Sequence, residues 1–282
     1  MGNGMNGKVV LITGATSGIG KATAIGLAKM GAKIVFTYRD RKKGEETRKE
    51  IIDETKNSDI HSIYCDLASF YSIGKCCDEF IENYGRLDVL INNAGLWNMN
   101  ERKSSDGTEE TFAVNFLAPF LMTELLLDTL KKSGPSRIIN VSSALHKGKI
   151  NFDDIEMKNE YNGMKAYAQS KLAVILFTRL LAKNLEKDGI TVNCLHPGVI
   201  ATNIIRDRGK AIRFLSRLLF KSPKNGARTS IYLASAPEIE NTTGEYFSNK
   251  KIAKSSEESK DMETAKKLWE LAEEYVKIND NN

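Results

Sequence analysis

The sequence predicts an α/β protein: a single doubly wound domain with a parallel seven-stranded sheet and helices on both faces. Three observations carry that prediction. Short apolar, β-branched runs alternate with stretches of helical periodicity along the 282 residues. A glycine-rich turn, TGATSGIG (13–20), follows the first apolar run and opens the first helix. No Pro/Gly/Ser-rich linker and no internal repeat divides the chain, so one domain spanning 1–282 is expected.

KVVLIT (8–13) is the first strand, and GKATAIGLAKMG reads as a helix that stops at Gly31. KIVFTY (33–38) is the second, followed by a charged helix to about residue 56. HSIYCDL (61–67) is the third, with a helix from Ser69 to about Tyr84. LDVLINNAG (87–95) is the fourth, with a helix over about 108–131; RIINVSS (137–143) is the fifth. A long helix over about 161–187 leads to ITVNCLHPG (190–198), the sixth strand. A shorter helix near 224–235 precedes a last strand around EYFS (245–248). The charged tail returns to helical periodicity over about 262–277, where Leu268, Trp269, Ala272 and Val276 form a docking stripe.

The composition excludes several functions. A hydrophobic share of 41% and a charged share of 27% are ordinary for a soluble globular protein. A net charge of +5 spread over scattered lysines, with no recognisable nucleic-acid module, argues against nucleic-acid binding. Cys65, Cys76, Cys77 and Cys194 match no zinc spacing and read as reduced thiols, so no metal is expected. No uninterrupted apolar stretch approaches the roughly 18 residues needed to cross a bilayer. The longest run noted, LAVILFTRLLA, is broken by Thr178 and Arg179. MGNGMNG lacks the order of a secretory signal and, with Asn6, the myristoylation pattern. A cytoplasmic protein is expected.

The glycine turn points to a dinucleotide. Gly14, Gly18 and Gly20 stand in the spacing G-x-x-x-G-x-G, with Thr16, Ser17 and Ile19 between them. Glycines there let the backbone turn tightly and approach a pyrophosphate at a helix N-terminus, the Rossmann-type arrangement. A strand-to-helix turn without ligand is the plain alternative. The end of the second strand chooses the cofactor: Tyr38 stands where a ribose-binding carboxylate is sought, and Arg39 follows it. A planar guanidinium suits a 2′-phosphate, and Lys21 could add a second charge, so NADP(H) is expected in preference to NAD(H). Lys42, Lys43, Arg48 and Lys49 continue the basic run, which leaves a solvated helix start as the alternative.

YAQSK (167–171) places Tyr167 and Lys171 four apart on one helical face. Neither neutralises the other. They make a proton-transfer pair if the ammonium lowers the phenol's pKa from about 10 toward neutrality. The spacing alone arises by chance in many helices.

TGATSGIG, CDL (65–67), NNAG (92–95), Asn115, VSS (141–143), YAQSK and HPG (196–198) occur in this order. Together they resemble the short-chain dehydrogenase/reductase family, over about residues 7–278, and most closely its retinol dehydrogenase-like branch, which includes the oxidoreductase domain of the WW-domain-containing oxidoreductase. FKSPKNGARTSIYLASAPE (220–238) and TGEYFS (243–248) extend the likeness. The resemblance implies Tyr167 as the acid/base, Lys171 as its partner and a grip on the nicotinamide ribose, Ser143 holding the carbonyl oxygen, and Asn115 shaping its helix and supporting a water chain. It implies further cofactor contacts at Asp66 with Leu67, at Asn93, Ala94 and Gly95, at Pro197, Gly198 and Val199, and at Thr202. Asp at a strand end is also a routine turn former. His146 reads as a polar residue of the substrate-side loop.

Three segments beyond the strand ends wall the pocket: LWNMN after Gly95, the loop after Ser143, and a stretch after Thr202. From Arg206 to Lys224 the last holds seven Lys or Arg and one acid among apolar residues. It reads as a lid over about 199–223, or as a segment contacting a membrane surface through 204–221. The leading reading is an NADP(H)-dependent enzyme interconverting lipophilic aldehydes or ketones and alcohols. NAD-dependent alcohol or steroid oxidation is the runner-up, and a cofactor-binding sensor or scaffold without turnover is the reading from another class. The helices at 108–131 and 161–187 could pair two chains as a homodimer.

Overall fold

The computed structural model describes residues 4–198 and 222–277. Val199, Thr202, nearly all of the expected lid and the basic segment 204–221 lie outside them. The strands are β1 (Val9–Ile12), β2 (Lys33–Tyr38), β3 (Ile60–Tyr64), β4 (Val89–Asn92), β5 (Ser136–Val141), β6 (Ile190–His196), β7 (Tyr246–Ser248) and β8 (Lys251–Ile252). They form one sheet in the order β3-β2-β1-β4-β5-β6-β7-β8. β1 to β7 are parallel, as expected. The eighth strand is a two-residue antiparallel addition at the edge, turned back by Asn249 and Lys250, both in the left-handed region at φ 49° and 64°. Two exposed residues carry too little pattern to announce a strand.

The helices are α1 (Gly18–Ala28), α2 (Arg41–Thr55), α3 (Phe70–Tyr84), α4 (Glu110–Lys132), α5 (Gly163–Asn184), α6 (Pro223–Ser235) and α7 (Met262–Lys277). Their starts follow from capping. Asp40 accepts from the Lys43 N–H at 3.1 Å and opens α2. Ser69 does the same for Ser72 at 3.3 Å and opens α3, and Asn162 accepts from Met164 and Lys165 to open α5. Gly85, with φ +60°, ends α3.

The alternation of each strand divides the core into two layers. Val9, Leu11, Val35, Leu90, Ile138 and Val192 face one side, packing with residues of α3, α4, α5 and α7. Val10, Ile12, Ile34, Phe36, Ile91 and Ile139 face the other, packing with residues of α1, α2 and α6. Each such side chain, fully buried, contributes about 1.5–3 kcal/mol.

Two features of α4 escape the sequence pattern. Its residues Ala113–Leu117 form a π-helical turn, with Asn115 at the centre. Among the described residues it is also the one helix long and apolar enough to cross a membrane, although 72% of its apolar window is buried inside the fold. That longer stretch is a core helix, and the run LAVILFTRLLA belongs to α5, equally buried.

α7 docks through the expected stripe. Leu268 and Ala272 are buried, and Trp269 packs against Phe120 of α4 and Phe177 of α5, ring centroids 5.1 Å and 5.7 Å away. Arg179 fastens the preceding segment, donating to the Ser259 carbonyl at 2.8 Å and the Ser255 hydroxyl at 3.0 Å. The C-terminal helix thus covers part of α4 and α5.

Candidate active site

The strand order reverses between β1 and β4, and that is where an open α/β sheet leaves a crevice at its carboxyl ends. The turn after β1, NNAG after β4, Ser143 after β5 and Pro197-Gly198 after β6 all stand along this edge.

The glycine turn is built for close approach. Gly14 has φ +67°, and a Cβ there would lie 2.8 Å from Ala94 Cα. Gly20 is as confined, its Cβ position 2.4 Å from Asn93 Nδ2. Gly18 differs: it has φ +58°, yet a Cβ would meet nothing within 4 Å. Its bare face looks into open space at the first turn of α1. Ser17, the N-cap, makes no side-chain capping bond and no acid occupies that turn, whereas α2, α3, α5 and α6 are each capped by a side chain. Free amides at a helix start, with a glycine facing outward, fit an anionic pyrophosphate. Across the turn, Asn93 Nδ2 donates to the Thr13 carbonyl at 2.8 Å, and the Asn93 and Ala94 N–H groups both donate to Thr13 Oγ1 at 3.0 Å. NNAG therefore braces the glycine turn.

At the end of β2, the partly buried Tyr38 ring meets Tyr64 edge-on at 6.0 Å and lies close over Gly44. Arg39 projects outward with 57% of its side chain exposed, 3.8 Å from the Asp66 carboxylate. The cofactor contact expected at Asp66 and the phosphate contact expected at Arg39 are thus neighbours. Asp66 also accepts from the Ala68 N–H at 3.1 Å, the turn-forming use of an aspartate at a strand end, with Leu67 between them. Lys21 pairs with Glu50 rather than standing free for a phosphate.

The four candidate catalytic residues meet in a buried corner. Tyr167 is 5% exposed and Lys171 2%. The Lys171 ammonium donates to the Val141 carbonyl at 3.0 Å and stands 5.8 Å from the centre of the Tyr167 ring. A Cβ on Gly95 would sit 3.2 Å from both Lys171 Nζ and Asn115 Oδ1, a tight contact that either neighbour would have to relieve by a small shift. Asn115 Oδ1 accepts from the Leu96 N–H at 2.8 Å; its Nδ2 donates to the Leu96 carbonyl and to Ser170 Oγ, both at 2.9 Å. These bonds hold the π-helical turn to the end of β4 and to α5. Behind them Asn92 donates to Asn140, and Asn140 to Thr178, each at 2.9 Å.

The proton chemistry of this corner is set by dryness. Burial pushes the Tyr167 phenol up, and a hydrogen bond with Ser143 pulls it back. Burial pulls the Lys171 ammonium down from 10.5 to about 8. The group acting directly on the phenol in this corner is Ser143. Ser143 Oγ accepts from the Leu145 N–H at 3.1 Å.

Sequence reasoning missed two supports. His146 lies in the loop after β5, as expected, but it is buried. Its Nε2 accepts from the Ser256 N–H at 3.1 Å, which leaves Nδ1–H to donate to the Ser143 carbonyl at 2.6 Å. Burial pulls its pKa down, which favours this neutral form. Its ring meets Tyr246, which stacks on His196, whose Nδ1 accepts from the Gly198 N–H at 3.1 Å. The second is Trp97, whose indole stacks on the Tyr167 ring, centroids 4.7 Å apart and planes 12° from parallel. All four cysteines are buried and free, and no cluster of three or more metal-ligating side chains stands among the described residues.

The family profile described as short chain dehydrogenase matches residues 8–212. Homo sapiens retinol dehydrogenase 14 is 43% identical over 96% of this chain and 87% of its own length. Homo sapiens retinol dehydrogenase 13 is 45% identical, over 93% and 82%. Among solved structures, a blue fluorescent protein from a metagenomic library, in complex with NADPH, superposes with a TM-score of 0.68 at 28% identity, over 86% of this chain and 96% of that one.

Proposed function

The chain belongs to the short chain dehydrogenase family, and on that premise we propose that it is an NADP(H)-dependent oxidoreductase interconverting lipophilic aldehydes or ketones and the corresponding alcohols. The observation that carries this reading is the dry corner in which Tyr167, Lys171, Ser143 and Asn115 meet beside the outward-facing glycine turn. The relatives named for retinol support a lipophilic substrate, and the neighbour in complex with NADPH supports the nucleotide.

The residues that would hold the cofactor are Gly14, Thr16 to Gly20, Arg39, Asp66, Leu67, Asn93 to Gly95, Lys171, Pro197 and Gly198. Its nicotinamide, when bound, supplies or takes up the hydride. Ser143 Oγ donates to the substrate oxygen, where negative charge builds during reduction, and Tyr167 gives that oxygen its proton. In oxidation Tyr167 takes the proton back. Lys171, charged below about pH 8, holds a positive charge beside the phenol that favours its ionised form. Asn115 keeps the π-helical turn tied to Leu96, so the floor beneath Gly95 does not shift.

The test is nucleotide oxidation, NADPH against NADH, with a panel of lipophilic aldehydes and ketones that includes retinal. Turnover with an NADPH preference, lost in Tyr167→Phe, is the expected result. Tight nucleotide binding with no carbonyl reduced would replace the enzyme by the sensor.

A further inference from the structure

Trp97 is the large side chain of this corner to which the reaction above gives no task. Its indole is 8% exposed, and its Nε1–H is buried with no acceptor among the described residues. A buried donor without an acceptor weakens a fold, so the N–H does not explain why the ring sits there. The chain on either side does. Both backbone groups of Leu96 are bonded to Asn115. The Asn98 side chain donates to Glu110 at 2.9 Å, and its carbonyl accepts from Tyr161 Oη at 3.2 Å. A Cβ on Gly163, the first residue of α5, would lie 2.2 Å from that same carbonyl. The segment 96–98 is therefore pinned at both ends, one of them against the start of the helix that carries Tyr167.

We propose that Trp97 is a positioning residue for Tyr167: its indole is a fixed wall that sets the plane of the phenol ring and keeps one face dry, so that the hydroxyl is held on Ser143. The offset parallel stack is a favourable arrangement of two aromatic rings. The inference rests on the reading of Tyr167 as the proton donor. It adds a residue through which that donor is aimed.

Two sets of measurements test it. In the first, the rate of carbonyl reduction is followed against pH for the wild type, Trp97→Phe and Trp97→Ala, with thermal unfolding as a check on folding. Phenylalanine keeps a ring against Tyr167 and removes the orphan N–H, so most of kcat should remain. Alanine should lower kcat by roughly 10–100-fold, the scale of a misplaced reacting group. It should also move the alkaline limb to lower pH, because a hydrated phenol ionises more readily. An alanine variant with unchanged kcat and limb overturns the proposal. So does a phenylalanine variant as impaired as alanine, which would put the role in the N–H.

The second set needs no turnover. The chain has two tryptophans, so in Trp269→Phe, a substitution in the packing of α7, Trp97 emits alone. Its fluorescence should be quenched as pH rises through a single ionisation, and adding Tyr167→Phe should abolish that step. If the wild type reduced no carbonyl, the function proposed above would fail, and this titration would still judge Trp97. Emission without that step overturns the proposal.

Discussion

The two ends of the candidate site are built by different means. At the nucleotide end the structure offers backbone shape and solvent-facing charge: the bare face of Gly18, the uncapped start of α1, and Arg39 with more than half its side chain exposed. At the catalytic end it offers side chains withdrawn from water, with Lys171 and Tyr167 almost wholly buried and both shifted by that burial. The first arrangement costs little stability and is suited to binding. The second costs more and is suited to reaction. Substitutions at the two ends should therefore leave different signatures, and the contrast can be broken at either end.

The largest effect belongs to Tyr167→Phe. It removes one hydroxyl and keeps the ring against Trp97, so kcat should fall by about 10³-fold or more, while nucleotide affinity and melting temperature stay near the wild type. Steady-state rates with a nucleotide-binding titration check this. A residual rate within tenfold of wild type would move the proton donor elsewhere.

Lys171→Met comes next, and it separates rate from stability. Activity should fall by about 10²-fold or more, yet the protein should become more stable. The folded-state pKa of Lys171, about 8, lies below its ordinary 10.5. Below pH 8 the folded and unfolded chains both hold the proton, and the penalty for burying the charge is at full strength. Between about pH 8 and 10.5 only the unfolded chain holds it, so wild-type stability rises with pH there. The gain from Lys171→Met, on the order of 1–3 kcal/mol after loss of the bond to Val141, should be greatest at neutral pH and fade above pH 10. Denaturant unfolding at pH 7 and pH 10 measures it. A variant less stable than wild type at pH 7 would mean that the bond to Val141 outweighs the burial.

At the nucleotide end, Gly18→Ala and Gly14→Ala should part company. Alanine at Gly18 meets no neighbour, so its penalty is the left-handed backbone alone, about 1–2 kcal/mol. The chain should still fold and bind NADPH about 10–100-fold more weakly, because a methyl group now stands where the pyrophosphate approaches. Alanine at Gly14 adds a contact of 2.8 Å with the Ala94 backbone and should cripple folding itself. Equal loss of folding in both would deny that Gly18 faces a ligand.

Much of this was legible in the residues. The glycine turn, the alternation of β1 to β7 and the Tyr167–Lys171 spacing are local patterns, and the structure puts each where the pattern asks. The residues packed around Tyr167 and Ser143 were not legible, because their partners lie far along the chain. Trp97 meets Tyr167 only when α5 folds back over the end of β4, and His146 reaches Ser256, 110 residues on. The π-helical turn at Ala113–Leu117 leaves no mark in the apolar periodicity. It is held by the bonds of Asn115 to Leu96 and Ser170, which are tertiary contacts. Arg39 was legible as a cation at the end of β2, but its nearness to Asp66 was not.

That nearness shapes the smallest effect, at Arg39. The pair is partly exposed and 3.8 Å long, so Arg39→Ala should change stability by less than about 1 kcal/mol. Its consequence lies in binding. A guanidinium bonded to a 2′-phosphate gives a charge-assisted contact, and its loss should raise the KM for NADPH about tenfold. The same substitution frees Asp66 from a neighbouring cation. A ribose hydroxyl tolerates that carboxylate where a phosphate is repelled by it, so the KM for NADH should hold steady or fall. Ionic strength supplies the control: added salt should weaken NADPH binding to the wild type more than to Arg39→Ala, since screening acts on a contact the variant lacks. If the two proteins lose affinity for NADPH in parallel as salt rises, the preference is carried by some other cation and Arg39 is only the solvated start of α2.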